Sequence, residues 1–312
     1  MASEARTKDG LSPELIEALT SQPGADFCRF LRQVYFEELQ SGHVAEPSAG
    51  GAEFAALARS LGLLRTDRAA THLTGLGYEV SNVAKEYANW LDGGRKLPDG
   101  VPPSILEGRR VLDVGCSFGR QMIAFAQHGA KVWGIDFQST YLRLSSAFAQ
   151  QQGLPRLNVG RARAEQLPFL SGSFDVVFCR LVLNYVSDVD GTLAEFSRVL
   201  KPGGSLVLII EPLAAPLRSL WTSKWIGNTR TIAFILFGLL NTVLVELGGR
   251  QLVLRRQGRM HAQHSPVWPT GRWLSRHLAA SGFSPLQGAT LRDPQRPELF
   301  LGLVNGTTRP GS

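Results

Sequence analysis

The central third of the chain alternates between short, wholly apolar runs and stretches in which apolar residues recur at helical spacing. Val111, Leu112 and Val114 are typical of a strand that is buried on both faces, as in a parallel sheet. Residues 120–128 have the spacing of an amphipathic helix; its apolar residues are Met122, Ile123, Phe125 and Ala126. A second apolar run, 131–135, follows this helix. The pattern predicts a strand, a turn, a helix and a neighbouring parallel strand.

The same alternation continues toward the C-terminus. Further helices are predicted over residues 138–152, 188–200 and 270–283. Further strands are predicted over 157–160, 176–179 and 205–211, with two last strands near 285–289 and 298–304. Ser187 and Asp190 are predicted to form a capping box at the start of the helix 188–200. This order predicts an α/β fold with a doubly wound, mostly parallel sheet.

Two carboxylates stand where the first two of these strands end. Asp113 is followed by the turn Gly115–Gly119, and Asp136 ends the next strand, 23 positions after Asp113. Ligands of open α/β sheets bind at the carboxyl ends of the strands, where a glycine turn lets them approach the backbone. An acid at this distance on the second strand suits a ribose hydroxyl pair. We therefore predict that a nucleotide-like ligand binds here.

The turn excludes two ligand classes that use similar motifs. A dinucleotide fingerprint needs three glycines, but Ser117 and Arg120 occupy the second and third positions counted from Gly115. A phosphate-binding loop ends in Gly-Lys-Ser/Thr, which this turn lacks. The three cysteines have neither metal nor disulfide spacing, so we predict no metal site and a reducing compartment.

Residues 109–211 resemble the class I S-adenosylmethionine-dependent methyltransferases, and most closely their ubiquinone and menaquinone branch. The resemblance rests on four motifs in order: VLDVGCSFG at 111–119, GID at 134–136, AEQLPFLSGSFD at 164–175 and KPGG at 201–204. It implies a Rossmann-like fold and S-adenosyl-L-methionine as the cofactor. Arg163 departs from the family pattern, because the family usually has an acid there that accepts from the adenine amino group. Ser117, in place of the middle glycine, is a milder departure.

The resemblance also implies which residues hold the cofactor. Asp113, Gly115 and Gly119 are expected at the methionine end, and Asp136 at the ribose. The full predicted set is Asp113, Gly115, Cys116, Gly119, Asp136, Phe137, Ala164, Glu165 and Arg180, of which Ala164 and Glu165 face the adenine. Methyl transfer to oxygen also needs a base for the acceptor's proton, and the candidates are His261, His264 and Tyr185.

Composition and breaker residues divide the chain into two domains. Residues 1–95 predict a small helical domain, the proline-rich segment 96–108 a linker, and 109–312 the methyltransferase-like domain. The first domain is similar to the winged-helix modules that precede the catalytic domain in many small-molecule O-methyltransferases. Its predicted recognition helix offers only Arg59 and Arg65 as DNA contacts, so we expect homodimerisation or a substrate lid instead of nucleic-acid binding.

The insertion 212–269 contains the most apolar segment of the chain, 231–245. Its 15 uncharged residues fall short of the roughly 20 that span a bilayer. Three interpretations stay open: a buried lid helix, an interfacial helix that contacts a lipid surface through 231–259, and a transmembrane helix. The net charge of +7 comes from residues 249–312, which hold nine arginines against two acids, and a positive flank of this kind would place arginines on anionic headgroups in the interfacial alternative.

Together these observations predict an enzyme that methylates a lipophilic small molecule such as a quinol, a phenol or a polyketide. Two alternatives stay open, a membrane-lipid methyltransferase and a non-catalytic S-adenosylmethionine-binding regulator with a winged-helix module. The first residues show no apolar run after their charges, so no secretory signal is predicted. We expect a cytoplasmic protein, and peripheral membrane association through the insertion stays open as one alternative.

Overall fold

A computed structural model of the chain describes two short paired strands, Arg6–Thr7 and Gly10–Leu11, and most of the chain from residue 96 onward. The described residues there are 96–98, 100–138, 141–142, 145–146, 149, 157–211, 213, 217, 229–248, 266–285 and 302–306. Apart from the two short strands, the predicted domain 1–95 lies outside the described residues. His261 and His264 lie outside them as well, so their predicted roles stay predictions.

The chain divides into two compact units. The first comprises Met1–Lys96, Ser117–Gln121 and Gln138–Leu157, and the second comprises Leu97–Cys116, Met122–Phe137 and Asn158–Ser312. In the first unit, the rings of Phe118 and Tyr141 lie 4.8 Å apart. A Cβ at Gly119, which has a φ of +75°, would come 2.5 Å from the Leu157 side chain, so this turn position requires glycine.

A seven-stranded sheet forms the core of the second unit. Its strands in chain order are β1 Arg110–Val114, β2 Lys131–Asp136, β3 Asn158–Arg161, β4 Phe174–Arg180, β5 Leu200–Ile209, β6 Phe283–Pro285 and β7 Gly302–Gly306. They are arranged in the order β3-β2-β1-β4-β5-β7-β6. Strands β1 to β5 are parallel, whereas β7 is antiparallel to both of its neighbours. The predicted mostly parallel sheet is confirmed.

Strand β5 begins five residues before the predicted start at Ser205. The register between β4 and β5 shifts between Phe174 and Val176, so the KPGG segment forms an irregular continuation of the strand instead of a free turn. Lys201 in this segment donates from its Nζ to an Asp175 carboxylate oxygen at 2.8 Å. Asp175 also accepts from the Arg110 backbone N–H, and so it joins the start of β4 to both neighbouring strands.

The α-helices lie between these strands along the chain. They are α1 Arg120–Gln127, α2 Val189–Val199, α3 Thr229–Glu246 and α4 Gly271–Ala280. Leu193 and Phe196 of α2 and Trp273 and Leu274 of α4 join the buried cluster on one side of the sheet. Among the helices in the described part of the chain, none has the length and apolar character to cross a bilayer.

The predicted capping box at the start of α2 is wrong. Asp188 is the N-cap, and its side chain accepts from the Gly191 backbone N–H at 2.8 Å. Ser187 instead donates to a carboxylate oxygen of Glu165, and Asp190 pairs with His277 of α4. Gly191 allows the cap, because a Cβ there would lie 2.3 Å from an Asp188 carboxylate oxygen.

Candidate functional site

A cavity of about 240 Å³ lies at the carboxyl ends of β1, β2 and β4. Six of the nine predicted cofactor-binding residues line it: Gly115, Asp136, Phe137, Ala164, Glu165 and Arg180. Of the three predicted bases, Tyr185 is the one that lies among the described residues, and it lines the cavity as well. The topology brings these residues together because parallel strands end at one edge of the sheet. Their binding roles stay predictions, but they share one cavity.

The other three predicted residues lie outside the cavity wall. Asp113 is 2% exposed and occupies β1, one residue before the lining residue Val114. The thiol of Cys116 is directed at Gly134 of β2, where an added Cβ would come 2.8 Å from its sulfur. Gly119 belongs to the first unit. The side chain of Cys116 therefore serves packing at this turn, which the sequence pattern did not reveal.

Asp113 is the most perturbed acid among the described residues of the site. Its pKa is raised from 3.8 to about 8, mainly by burial and also by the nearby Asp136 carboxylate, while Arg180 opposes both effects. The Oδ2 atom of Asp113 is buried and has no hydrogen-bond partner among the described residues. A buried carboxylate without a partner is costly, so this arrangement favours a positively charged ligand group close by.

Gly115 shapes the cavity through close approach, not through hydrogen bonding to a ligand. Its φ is +75°, and an added Cβ would lie 2.1 Å from a methyl carbon of Val182, another lining residue. The backbone N–H groups of Gly115 and Cys116 both donate to the Ile135 carbonyl, at 2.8 and 2.9 Å. The first two N–H groups of the turn are therefore already used within the protein.

Arg163, the departure from the family pattern, forms an ion pair with Glu165. Its Nε lies 3.6 Å from a Glu165 carboxylate oxygen, and the other oxygen of Glu165 accepts from Ser187 at 3.4 Å. Both side chains line the cavity. Glu165 is thus partly neutralised at the position where the adenine is expected.

A clamp on helix α2 holds the loop that carries Ala164 and Glu165. Glu195 accepts from the Leu167 backbone N–H at 2.7 Å, and Arg198 donates to the carbonyls of Leu167 and Phe169 at 3.0 and 2.7 Å. The hydrogen bond from Arg198 lowers the pKa of Glu195 although burial opposes it, so the pair stays ionised. The sequence analysis missed both residues, because a helix surface pattern does not show which loop its side chains reach.

The segment after β4 forms the other wall of the cavity. Leu181 has a φ of +58°, a region that L-residues rarely adopt, and its N–H donates to the Ile209 carbonyl at 2.7 Å. Asn184, 1% exposed, lies in the 3-10 helix Leu183–Tyr185. Its amide nitrogen donates to the carbonyls of Glu211 and Val267, and its amide oxygen accepts from the Glu211 N–H. Asn184 therefore fixes the wall that presents Tyr185, and the sequence analysis did not single it out.

Known proteins match the same part of the chain that forms the cavity. A family profile described as "Methyltransferase domain" matches residues 112–208. An uncharacterized methyltransferase YcgJ of Bacillus subtilis is 35% identical over 100 residues, which is 32% of this chain and 40% of the relative. A ubiquinone biosynthesis O-methyltransferase of Paracidovorax citrulli is 39% identical over 107 residues, 34% of this chain and 44% of that protein.

Residues 112–208 of this chain form a methyltransferase domain. The match covers less than half the length of these two relatives. A solved structure of an S-adenosylmethionine-dependent methyltransferase from Methanosarcina mazei is 21% identical, with a TM-score of 0.47 over 67% of this chain and 96% of that one. For residues 112–208, the family profile and the methyltransferase relatives confirm the predicted family and the predicted cofactor, S-adenosylmethionine.

The residues of the cavity fit this cofactor. S-adenosylmethionine carries a positive sulfonium and a positive ammonium, and the site offers the partnerless Asp113 oxygen together with Asp136 in the cavity wall. Favourable pairing with a cation would offset the desolvation that raises the Asp113 pKa. Asp113 and Asp136 are the residues suited to hold the charged and ribose groups, and Ala164 and Glu165 those suited to the adenine.

Proposed function

We propose that this chain transfers the methyl group of S-adenosylmethionine to an oxygen atom of a lipophilic small molecule of the quinol or phenol class. The observation that carries the proposal is a pair of buried carboxylates: Asp136 lines a cavity that Tyr185 also lines, and Asp113 lies one residue before the lining residue Val114. The names of two relatives support a lipophilic acceptor: a ubiquinone biosynthesis O-methyltransferase and a sterol 4-C-methyltransferase of Caenorhabditis elegans, 30% identical over 33% of this chain and 31% of its own length.

Bound S-adenosylmethionine supplies a methyl group on a positively charged sulfur, so that the acceptor oxygen gains a C–O bond as the C–S bond breaks and the acceptor loses its proton. The protein has to hold the acceptor in line and receive that proton. Tyr185 is 38% exposed at the cavity, so its hydroxyl can bind the acceptor hydroxyl and pass the proton to solvent. His261 and His264 stay the other candidate bases.

A membrane lipid is the second candidate acceptor. Leu236 and Leu240 on helix α3 are both about half exposed, which favours contact with a lipid phase. Both acceptor classes predict the same cofactor site.

Calorimetric titration with S-adenosylhomocysteine tests the cofactor site. Asp136→Asn is expected to weaken binding by roughly 1.5 to 3 kcal/mol, because a charged partner of the ligand is lost. Asp190→Asn, which removes an exposed carboxylate away from the cavity, is the matched control and should bind like the wild type. The site assignment fails if the folded wild type does not bind, or if both variants retain full affinity.

Transfer itself is tested with a labelled methyl donor and a panel of quinols, phenols and phospholipids. Label in a quinol or phenol supports the proposal, and label in the lipid fraction supports the second candidate. Tight cofactor binding without transfer to any acceptor would instead support the regulator alternative.

A further inference from the structure

Helix α3 buries polar side chains and exposes apolar ones, which is the reverse of the usual pattern. The positions directed into the protein are Ile235, Gly238, Asn241 and Thr242, so polar residues make up half of the buried face. Among the side chains of α3 that the structure describes, the exposed ones are all apolar, and Leu247 continues the series directly after the helix: Ala233, Leu236, Leu240, Val243 and Leu247. We call this second set the outer stripe. Surface helices normally bury the apolar face and expose the polar one.

The polar face is held in place by the protein itself. The Thr242 hydroxyl donates to the Gly238 carbonyl and accepts from the Trp268 backbone N–H, both at 2.9 Å. A Cβ at Gly238 would lie 2.2 Å from the Trp268 ring, so the glycine lets the helix approach this indole. Glu246 accepts from the Thr270 backbone N–H at 2.7 Å. These contacts fix the rotation of the helix and keep the outer stripe outward.

The outer stripe is a continuous apolar surface. Its members are spaced by three and four residues, which places them along one side of the helix. Leu236, Leu240 and Val243 are 56%, 48% and 55% exposed, and Leu247 is 82% exposed. Monomeric proteins seldom expose contiguous apolar surface of this kind, so we expect a lipid surface or another protein surface to cover the stripe.

The charges that flank helix α3 in the sequence indicate which kind of partner covers the stripe. Between Glu211 and Asp293 the sequence holds ten Lys or Arg residues and a single acid, Glu246. Glu246 is directed at the Thr270 N–H, whereas Arg272 and Arg276 on α4 are exposed. A second copy of the helix would bring two such basic regions together, but an anionic lipid surface would neutralise them.

We propose that helix α3 lies flat on an anionic lipid surface, with the outer stripe in the apolar layer and the flanking basic residues on the headgroups. Val267 donates its N–H to the Asn184 carbonyl, and its neighbour Trp268 is bound to Thr242. The docked helix is thereby joined to the wall that presents Tyr185. The docking itself does not depend on methyl transfer.

Vesicle co-sedimentation of the full chain tests this surface. The probes are phosphatidylcholine vesicles with and without about one third phosphatidylglycerol. The variant carries Leu236→Gln and Leu240→Gln, since glutamine keeps the helix propensity. The matched control is Leu170→Gln, because Leu170 is 83% exposed and lies in a loop elsewhere. Thermal melts of all three proteins establish that they are equally folded.

The wild type and the Leu170→Gln control are expected to pellet with anionic vesicles, less so as salt rises, and to bind pure phosphatidylcholine weakly. The stripe variant should bind anionic vesicles about tenfold more weakly, because two half-exposed leucines no longer enter the apolar layer. Equal binding by the variant and the wild type, or no binding by the wild type, would overturn the proposal. Sedimentation velocity of a dimer that only the stripe substitutions dissociate would assign the surface to a second copy and overturn it too.

Discussion

The cofactor cavity and helix α3 both bury polar side chains, but for different purposes. Thr242 of α3 has two partners within the protein, the Gly238 carbonyl and the Trp268 N–H. Asp113 at the cavity has a buried oxygen without a partner among the described residues, and a pKa raised to about 8. Burial of a polar residue therefore does not by itself indicate a ligand site. The distinction lies in whether the protein satisfies the group or leaves it for a ligand.

The largest effect is expected from Gly115→Ala, which would break the shape of the cavity. The added Cβ would clash with Val182 at 2.1 Å and would also sit at a φ of +75°. We expect a loss of about 3 to 4 kcal/mol in the free energy of unfolding, from overpacking plus backbone strain. Urea denaturation measures this loss.

Gly172→Ala is the matched control for the backbone term. Gly172 has a φ of +67° but nothing within 4 Å of an added Cβ. Its substitution should cost only about 1 kcal/mol. Equal losses in the two variants would show that contact with Val182 does not constrain the cavity.

The second effect concerns Asn184, which connects the cavity wall to the segment beneath α3. Asn184→Asp keeps the size of the side chain but replaces the amide donor that serves the Glu211 and Val267 carbonyls, at 3.0 and 2.8 Å. We expect destabilisation of about 2 to 3 kcal/mol, because two buried carbonyls would face an acceptor. Cofactor affinity at a temperature where the variant is folded should fall as well. Full stability would mean that this connection contributes nothing.

The third effect is a pH dependence from Asp113. Its pKa is raised from 3.8 to about 8, so at neutral pH the folded protein holds a proton that the unfolded chain has lost. The stability contributed by this proton is therefore present at low pH and falls as the pH rises toward 8. Binding of a cationic cofactor favours the ionised carboxylate, so affinity should rise with pH by up to about tenfold per unit and level off above the raised pKa.

Titration calorimetry with S-adenosylmethionine from about pH 6 to about pH 8 measures this slope. Asp113→Asn is the control: it should bind weakly, without the slope, and its stability should no longer fall over the same range. A wild-type affinity that is constant with pH would show that Asp113 does not exchange a proton on binding.

The sequence predicted the cavity well because its residues follow from the polarity of single strands. Asp136 ends one buried apolar run and Gly115 follows another. Once these runs are recognised as parallel strands, both residues are expected at the same edge of the sheet. The contacts that hold the cavity walls were not predictable in this way. Asn184 and Arg198 act on carbonyls between 27 and 83 positions away in the chain, and no local spacing records such partners.

The orientation of helix α3 could not be predicted from the sequence either. Residues 231–245 are apolar on nearly every side, so their periodicity does not show which side is buried. Asn241 and Thr242 interrupt the run, and a surface pattern would direct them to solvent. The structure buries them because Gly238 admits Trp268, a contact between residues 30 positions apart.

The smallest effects are expected from two opposite substitutions on α3, one from polar to apolar and one from apolar to polar. Thr242→Val places an apolar side chain at a buried position, which usually stabilises, but here it leaves the Trp268 N–H without its acceptor at 2.9 Å. We expect a loss of about 1 to 2 kcal/mol. Leu240→Gln places a polar group on the outer stripe at a position 48% exposed, and its effect should stay within about 0.5 kcal/mol. Urea denaturation without lipid compares the two.

The stability changes of these two variants show whether α3 has this orientation in solution, with its polar side buried and its apolar side exposed. If its apolar side instead packed inward, Thr242→Val would be harmless and Leu240→Gln would cost about 2 kcal/mol or more, as for other buried leucines. The expected order, with the polar-to-apolar change the costlier of the two, follows only if the protein binds Thr242 and leaves Leu240 to an outside phase. A harmless Leu240→Gln in the absence of lipid is also what allows its effect on vesicle binding to be assigned to docking.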